Sequence, residues 1–144
     1  MQLDKKDKKI IETLKEHGNW GTNQISKKTK VPITTVHNRI KKLNKEEIIK
    51  KYTIELNNKK IGKSVKAHIL ITVNQNKNLP QEQTAKKVKQ IEDITSVDIV
   101  TGETDMIATI QTESIDRLNE IITKEIRNIE GIDKTKTIIV LNEI

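Results

Sequence analysis

The sequence predicts an α+β fold in two parts: three short helices, then a strand–helix–strand–strand–helix–strand unit. Two observations predict this division. The apolar residues recur at three- and four-residue spacing near the start, and the second half changes to a period-two alternation through Ala67, Ile69, Ile71 and Val73. The charge divides at the same place. Residues 1–62 carry 16 basic and 7 acidic side chains, a net of +9, and residues 63–144 carry 11 and 13, a net of −2.

The first element is a helix opened by Asp4 as N-cap and Asp7 three residues on, carrying Ile10, Ile11 and Leu14, and closed by His17-Gly18. A second short helix runs from about Thr22 to Thr29 with Ile25 inward, and Lys30-Val31-Pro32 makes a turn. The third helix starts near Ile33 and ends near Glu46. From Ile48 through Tyr52, Ile54 and Leu56 the pattern alternates as a strand should, and Asn57 to Gly62 reads as a linker.

In the second part Ala67 to Val73 forms a half-buried strand. Leu79-Pro80 starts a helix to about Ile91, with Ala85 and Val88 inward. Val97 to Val100 is a strand, Thr101 to Asp105 a turn, and Met106 to Gln111 the returning strand. Ser114 caps a helix bearing Ile115, Leu118, Ile122 and Ile126, which ends before Gly131, and Thr135 to Leu141 is the last strand. This order is the split βαββαβ pattern of ferredoxin-like domains. One face of such a sheet is covered by helices, and the bare face calls for a partner, hence a dimer. The expected boundaries are 1–50 for the helical domain, 51–62 for strand and linker, and 63–144 for the ferredoxin-like domain.

Composition narrows the class. Trp20 and Tyr52 are the only aromatic residues among 144, so both cores rest on Ile, Leu and Val. Small cores of this kind gain from oligomerisation. The chain has no cysteine, so no disulfide or thiolate metal site can form. It shows no signal-like apolar run at the start and no stretch long enough to span a membrane. We expect a soluble cytoplasmic protein without a metal or cofactor.

A basic module is the electrostatic footprint of a nucleic-acid binder, because Lys and Arg displace counterions from phosphates. Three short helices with a tight turn before the third make a helix-turn-helix, whose third helix enters the major groove of double-stranded DNA. At about 100° per residue, Val36, Ile40 and Leu43 fall on one face of that helix. Thr34, Asn38, Lys41 and Lys45 lie opposite, flanked by His37 and Lys42. Asn38 can pair bidentately with adenine, and Thr34, Thr35 and His37 can reach base edges near the helix start. Lys41, Lys42 and Lys45 lie where the helix leaves the groove and meets phosphates. Arg39 sits at the edge of the buried face, suited to a phosphate contact or an intramolecular pair. The plain alternative is a lysine-rich face that only solvates a helix. Trp20 reads as a core residue between two helices, and Tyr52 as packing beside the third.

Several runs resemble one family. Leu3-Asp4-x-x-Asp7-x-x-Ile10-Ile11-x-x-Leu14 is similar to the first helix of the leucine-responsive/asparagine regulators, the Lrp/AsnC or feast/famine transcription factors. Thr35-Val36-x-x-Arg39-Ile40-x-x-Leu43 and Ile48-Ile49-x-x-Tyr52-Thr53 resemble their recognition helix and following strand. Leu56-x-x-x-x-Ile61-Gly62 resembles their linker, and Val100-Thr101-Gly102-x-x-Asp105 the hairpin of their ligand-binding domain. Gly131-Ile132-x-x-Thr135-x-Thr137-x-Ile139-Val140-Leu141 matches their last strand. Four positions depart from the pattern. Glu47 stands where Gly is common, Pro32 and Gly21 where Ser is usual, and Thr104 where an aromatic is frequent.

The resemblance implies a second half that dimerises, builds an octamer, and binds small amino acids between dimers near the hairpin. From the residues alone, Gly102 lets backbone N–H groups approach a carboxylate, and Asp105 can take an ammonium. Thr101, Thr104, Thr135 and Thr137 can line the site. The competing reading is a plain turn, where Gly and Asp occur for conformational reasons. No catalytic constellation stands out. His17, His37 and His68 lie on three separate elements, and His68 should point away from the face of Ala67 and Ile69. The sequence thus predicts a winged helix-turn-helix joined to a ferredoxin-like domain: a DNA-binding transcription regulator answering to an amino acid, and not an enzyme. The alternative is an architectural chromatin protein that coats DNA without an effector.

Overall fold

The computed structural model describes residues 2–74 and 79–143. The chain forms two compact units, Met1–Glu55 and Leu56–Ile144. Each is described by itself.

The first unit holds α1 (Lys5–Glu16), α2 (Thr22–Thr29) and α3 (Ile33–Lys45). Helix α1 starts as its sequence requires. Asp4 Oδ1 accepts from the N–H groups of Lys6 (2.8 Å) and Asp7 (2.9 Å), and Asp7 Oδ2 accepts from the Asp4 N–H (3.1 Å). These bonds satisfy donors that a helix start otherwise leaves open. Helix α2 has Gly21 as N-cap, so no side chain caps it; only Gln24 Oε1 reaches back to the Gly21 N–H, at 3.0 Å. Helix α3 follows Pro32, again without a side-chain cap.

At its other end α3 closes on Glu47, a non-glycine residue at φ +54°. The Glu47 N–H donates to Asn44 O (3.1 Å) and the Ile48 N–H to Leu43 O (3.0 Å). This is the Schellman arrangement, in which the left-handed position is ordinarily glycine. Ile10, Ile25, Val31, Val36 and Leu43 form the core, with Leu14, Trp20, Ile40, Ile48 and Ile49 packed around it. Burying each such aliphatic side chain contributes about 1.5–3 kcal/mol. Trp20 sits at the margin of this core, half-buried, its ring stacked on His17 with centroids 3.8 Å apart.

The strand expected from Ile48 to Leu56 does not form. Residues 51–57 carry no strand, helix or turn assignment, and among the described residues no backbone group of 50–56 has a backbone partner. Tyr52 is 53% exposed, Ile54 78% and Leu56 50%. Alternation favours an extended backbone, but a strand also needs a neighbour to bond, and among the described residues none bonds to this segment. Asn44 Nδ2 donates to the Tyr52 hydroxyl at 3.3 Å, the contact with α3 that the sequence led us to expect.

The second unit runs β1 (Val65–Val73), α4 (Gln81–Lys89), β2 (Ile94–Ile99), β3 (Met106–Thr112), α5 (Ile115–Glu120), a π-helix (Ile121–Ile126) and β4 (Ile132–Ile139). The four strands form one antiparallel sheet in the order β2-β3-β1-β4. Strands β2 and β4 both begin three residues before the expected positions. Ala67, Ile69, Ile71, Met106, Ala108 and Ile110 are fully buried beneath Val88, Leu118, Ile121, Ile122 and Ile126 of the helices.

The second helix of this unit differs from expectation in its geometry. Its latter half is π-helical, closed by the Arg127 N–H on Ile122 O at 3.1 Å. In a pure α-helix, residues four apart drift by about 40° per step, so Leu118, Ile122 and Ile126 would fan out. The wider π turn reverses that drift. It keeps all three on the sheet. Ile115, in the first turn of α5 ahead of the π segment, is 52% exposed. The opposite sheet face carries His68, Leu70, Ile107, Thr109 and Ile138 by strand register, and His68 Nδ1 lies 3.1 Å from Thr109 Oγ1. Among the described residues no helix is long and apolar enough to cross a membrane.

Candidate nucleic-acid interface and effector hairpin

Helix α3 divides as the helical wheel requires. Val36 and Leu43 are buried and Ile40 is half-buried. Thr34, His37, Asn38, Lys41, Lys42 and Lys45 are exposed, and Thr35 is intermediate. Thr34, His37 and Asn38 share a shallow hollow of about 390 Å³ with Ile33 and with Thr22 from the start of α2. Thr22 escaped the sequence reading because it lies on another helix. The hollow places short polar side chains at the front of α3 and leaves the lysines toward its far end, the arrangement a groove-reading helix requires.

Arg39 is engaged within the unit. Its Nη1 lies 2.6 Å from Asp4 Oδ2 and 3.0 Å from Asp7 Oδ1. Of the two roles the sequence left open for Arg39, the intramolecular pair is the one observed. Asp7 is buried, so its carboxylate needs this partner. The Asp7 N–H bond and the Arg39 guanidinium hold the Asp4 carboxyl below the usual carboxylate range, and Arg39 is raised in turn by the two aspartates. The N-cap of α1 and the recognition helix are thereby tied together.

The hairpin between β2 and β3 has Thr101 and Gly102 exposed at its tip, with Gly102 at φ +128°. Few side chains adopt that conformation, which accounts for glycine there. Thr104 and Asp105 are turned inward. Thr104 Oγ1 donates to Ile71 O at 3.0 Å. Asp105 Oδ2 accepts from the Val73 N–H at 2.8 Å, and Oδ1 from Gln81 Nε2 at 3.1 Å. Both residues therefore clasp the end of β1, the conformational duty that competed with ligand contact in the sequence reading. Thr135 lies across β1 opposite Ile71 and accepts from Arg127 Nε at 3.0 Å. Thr137 lies opposite Ile69, two residues further from that end. Thr104, Asp105 and Thr135 thus meet at one end of the sheet around Ile71. Gln81 and Arg127, which no motif marked, complete that end.

At the opposite end of the sheet a second polar cluster went unread. Lys63 pairs with Asp93, whose Oδ2 also accepts from the buried Thr112 hydroxyl at 2.8 Å. Burial pushes the Asp93 carboxyl up, but the Lys63 and Thr112 bonds outweigh it and leave its pKa lowered; Lys63 is raised by the same pair. Lys63 and Asp93 line a recess of about 330 Å³ with Ile61, Gly62, Glu92, Glu113 and Arg117. Among the described residues no group of three His, Asp or Glu side chains could hold a metal ion.

Comparison with known proteins agrees with both halves of this geometry. Residues 3–50 match the winged helix-turn-helix DNA-binding family, and residues 66–144 match the Lrp/AsnC ligand binding domain. The chain is 37% identical over 139 residues to the HTH-type transcriptional regulator FL11 of Pyrococcus furiosus, covering 96% of this chain and 89% of that protein. LrpC of Bacillus subtilis superposes with a TM-score of 0.88 at 27% identity, over 100% of this chain and 98% of that one. A transcriptional regulator of Neisseria meningitidis, solved in complex with L-Met, has the same fold, with a TM-score of 0.92 at 23% identity over 99% and 92% of the two chains. FL11 and the Neisseria meningitidis protein are transcriptional regulators. The chain belongs to the Lrp/AsnC family of DNA-binding transcription regulators.

Proposed function

We propose that this regulator is sequence-specific and reads the major groove with the front of α3. Thr34, Thr35, His37 and Asn38 contact base edges, and Lys41, Lys42 and Lys45 neutralise phosphates. The observation that carries this reading is the exposure of the polar face of α3 while Val36 and Leu43 are buried behind it. Arg39 supports the helix from within through Asp4 and Asp7.

The second unit assembles the protein. Its bare sheet face, with Leu70, Ile107 and Ile138 around the His68–Thr109 contact, is the surface for a dimer, and dimers join into an octamer. A small amino acid acts as effector at the sheet end built by Thr101, Gly102, Thr104, Asp105, Thr135 and Thr137. The Neisseria meningitidis regulator of this fold holds L-Met, which supports an amino-acid ligand as a class. Asp105 offers its ammonium acceptor only if Gln81 yields Oδ1, so a ligand must compete with an internal donor.

The test is selection of bound sites from random duplexes, with and without a mixture of amino acids. A defined pseudo-palindromic site whose occupancy responds to one amino acid is the expected result. Even coating of all duplexes, indifferent to every amino acid, would overturn this reading in favour of an effector-free architectural protein.

A further inference from the structure

Helix α3 begins with an apolar residue that the core does not use. Of its four apolar side chains, Val36 and Leu43 are buried in the core and Ile40 packs against it. Ile33, the first residue of the helix, is 41% exposed and, among the described residues, is not part of that core. The start of the helix is secured without it. Val31 and Val36 are both buried, at the two positions of a hydrophobic staple, and the Val36 N–H donates to Pro32 O at 2.9 Å. Local preference also opposes isoleucine there. A β-branched residue is a weaker helix former, and the positive end of the helix dipole favours an acidic one. A residue that breaks local rules with no gain to the fold is expected at a functional site.

A single exposed isoleucine is ordinary; the surroundings set this one apart. Ile33 lines the hollow of about 390 Å³ together with Thr22, Thr34, His37 and Asn38. On the helical wheel it lies about 40° from His37, on the side of the base-reading set nearest the core. The hollow therefore has one apolar wall among polar ones. The exposed lysines further along α3 and the net charge of +9 over residues 1–62 make a nucleic-acid duplex the complementary occupant. Of the groups that distinguish the bases in the major groove, only the C5 methyl of thymine is apolar; the others donate or accept hydrogen bonds. An apolar wall beside polar readers fits that methyl.

We propose that Ile33 seats the C5 methyl of one thymine in each half-site and is a specificity-determining residue of the DNA interface. This rests on the groove reading of the preceding section and adds a discrimination that its hydrogen-bonding residues do not make. Asn38 and His37 tell bases apart by donors and acceptors. Ile33 tells thymine from cytosine by apolar contact, in which both groups give up water. A cytosine in the same place has no methyl and brings an amino group near Ile33, which then loses water without gaining a partner.

The test uses the full-length protein and the site selected from random duplexes. Each thymine of that site is replaced in turn by deoxyuridine, which lacks only the C5 methyl and keeps every hydrogen-bonding group. Affinity is read by fluorescence anisotropy of the labelled duplex. One position in each half-site should respond, the loss of one methyl weakening binding about fourfold and the loss from both half-sites about fifteenfold. In Ile33→Ala the same replacement should change binding by less than about twofold, while responses to base changes at other positions persist. Ile33 lies outside the core, and Trp20 fluorescence reports that the variant unit is folded. A selected site in which no thymine responds to loss of its methyl, read on the wild type alone, would overturn the inference and leave the groove reading standing. A response undiminished in Ile33→Ala would assign the methyl contact to a neighbouring threonine and overturn it as well. Failure to select any defined site would overturn both this contact and the reading on which it rests.

Discussion

Replacing Glu47 with glycine should stabilise the DNA-binding unit. Glu47 occupies the left-handed position of the Schellman close of α3, at φ +54°. For a residue with a β-carbon this conformation costs about 1–2 kcal/mol. Its carboxylate also sits at the negative end of the α3 dipole, which at an exposed site costs a few tenths of a kcal/mol, of order 0.3. Against these gains, glycine has more freedom to lose on folding, about 0.4–1 kcal/mol. The balance is a stabilisation of about 1 kcal/mol, which in a unit of this size raises the midpoint of melting by about 4–8 °C. Trp20 is the only Trp of the chain and packs at the edge of this core, so its fluorescence reports this unit without interference from the other. Glu47→Ala is the control. It removes the charge but keeps the β-carbon, and should recover only the few tenths of a kcal/mol due to the dipole. Equal shifts for alanine and glycine would show that the left-handed geometry carries no strain, and a fall in stability with glycine would refute the reasoning entirely.

Other substitutions separate the remaining roles. Asn38→Ala should weaken the specific site by about 1–3 kcal/mol and relax preference at one base pair, whereas Lys45→Ala should weaken specific and random duplexes alike; parallel titrations of both DNAs would expose an error if the two variants behaved the same. Lys63→Met should destabilise the second unit by about 1–2 kcal/mol near neutral pH, a figure reduced because Lys63 is partly exposed. In the wild type the Asp93 carboxyl is lowered, so its contribution is present above its unfolded pKa and disappears as pH falls through the folded one. Without Lys63, burial dominates and Asp93 protonates more readily, so the deficit should shrink toward pH 4; thermal melts showing a constant deficit from pH 7 to pH 4 would count against the pair. Asp105→Ala removes the acceptor of the Val73 N–H and should both lower the melting temperature of the second unit and abolish amino-acid binding in calorimetry; binding that persisted unchanged would confine Asp105 to its structural duty.

The fold was legible wherever a local rule had one outcome. Asp4 and Asp7 could cap α1 in only one way, and the 2-to-3.6 changes of period located every strand and helix of the second unit. The departures arose where the answer depended on a neighbour. Residues 51–56 satisfy the local rule for a strand, but pairing is a property of two segments, and among the described residues no second segment bonds to them. The π-helix has a similar origin. Leu118, Ile122 and Ile126 are spaced by four, a period that neither an α- nor a π-helix holds over three residues. Packing against the sheet holds them on one face, with an α-helical first half followed by a π-helical second half.

The exposed face of α3 was legible for a reason that does not hold on the hairpin. Along α3 the burial of Val36 and Leu43 dictates which residues face outward, so position alone assigns the exposed set. Arg39, at the boundary of the two faces, is the one residue that position left undecided, and its choice was made by Asp4 and Asp7 more than thirty residues earlier. On the hairpin, Gly102 and Asp105 answer equally well to ligand and to turn. The geometry shows the turn role in use, with both Asp105 oxygens bonded. It does so unequally: the Val73 N–H belongs to the sheet and cannot leave without fraying β1, whereas Gln81 is an exposed side chain at the start of α4 and can rotate away at small cost. Under the proposed effector role, a ligand ammonium would reach the oxygen that Gln81 holds and not the one held by the Val73 N–H. Occupancy there would release Gln81 from Asp105 and so link ligand binding to the first turn of α4 through a single hydrogen bond.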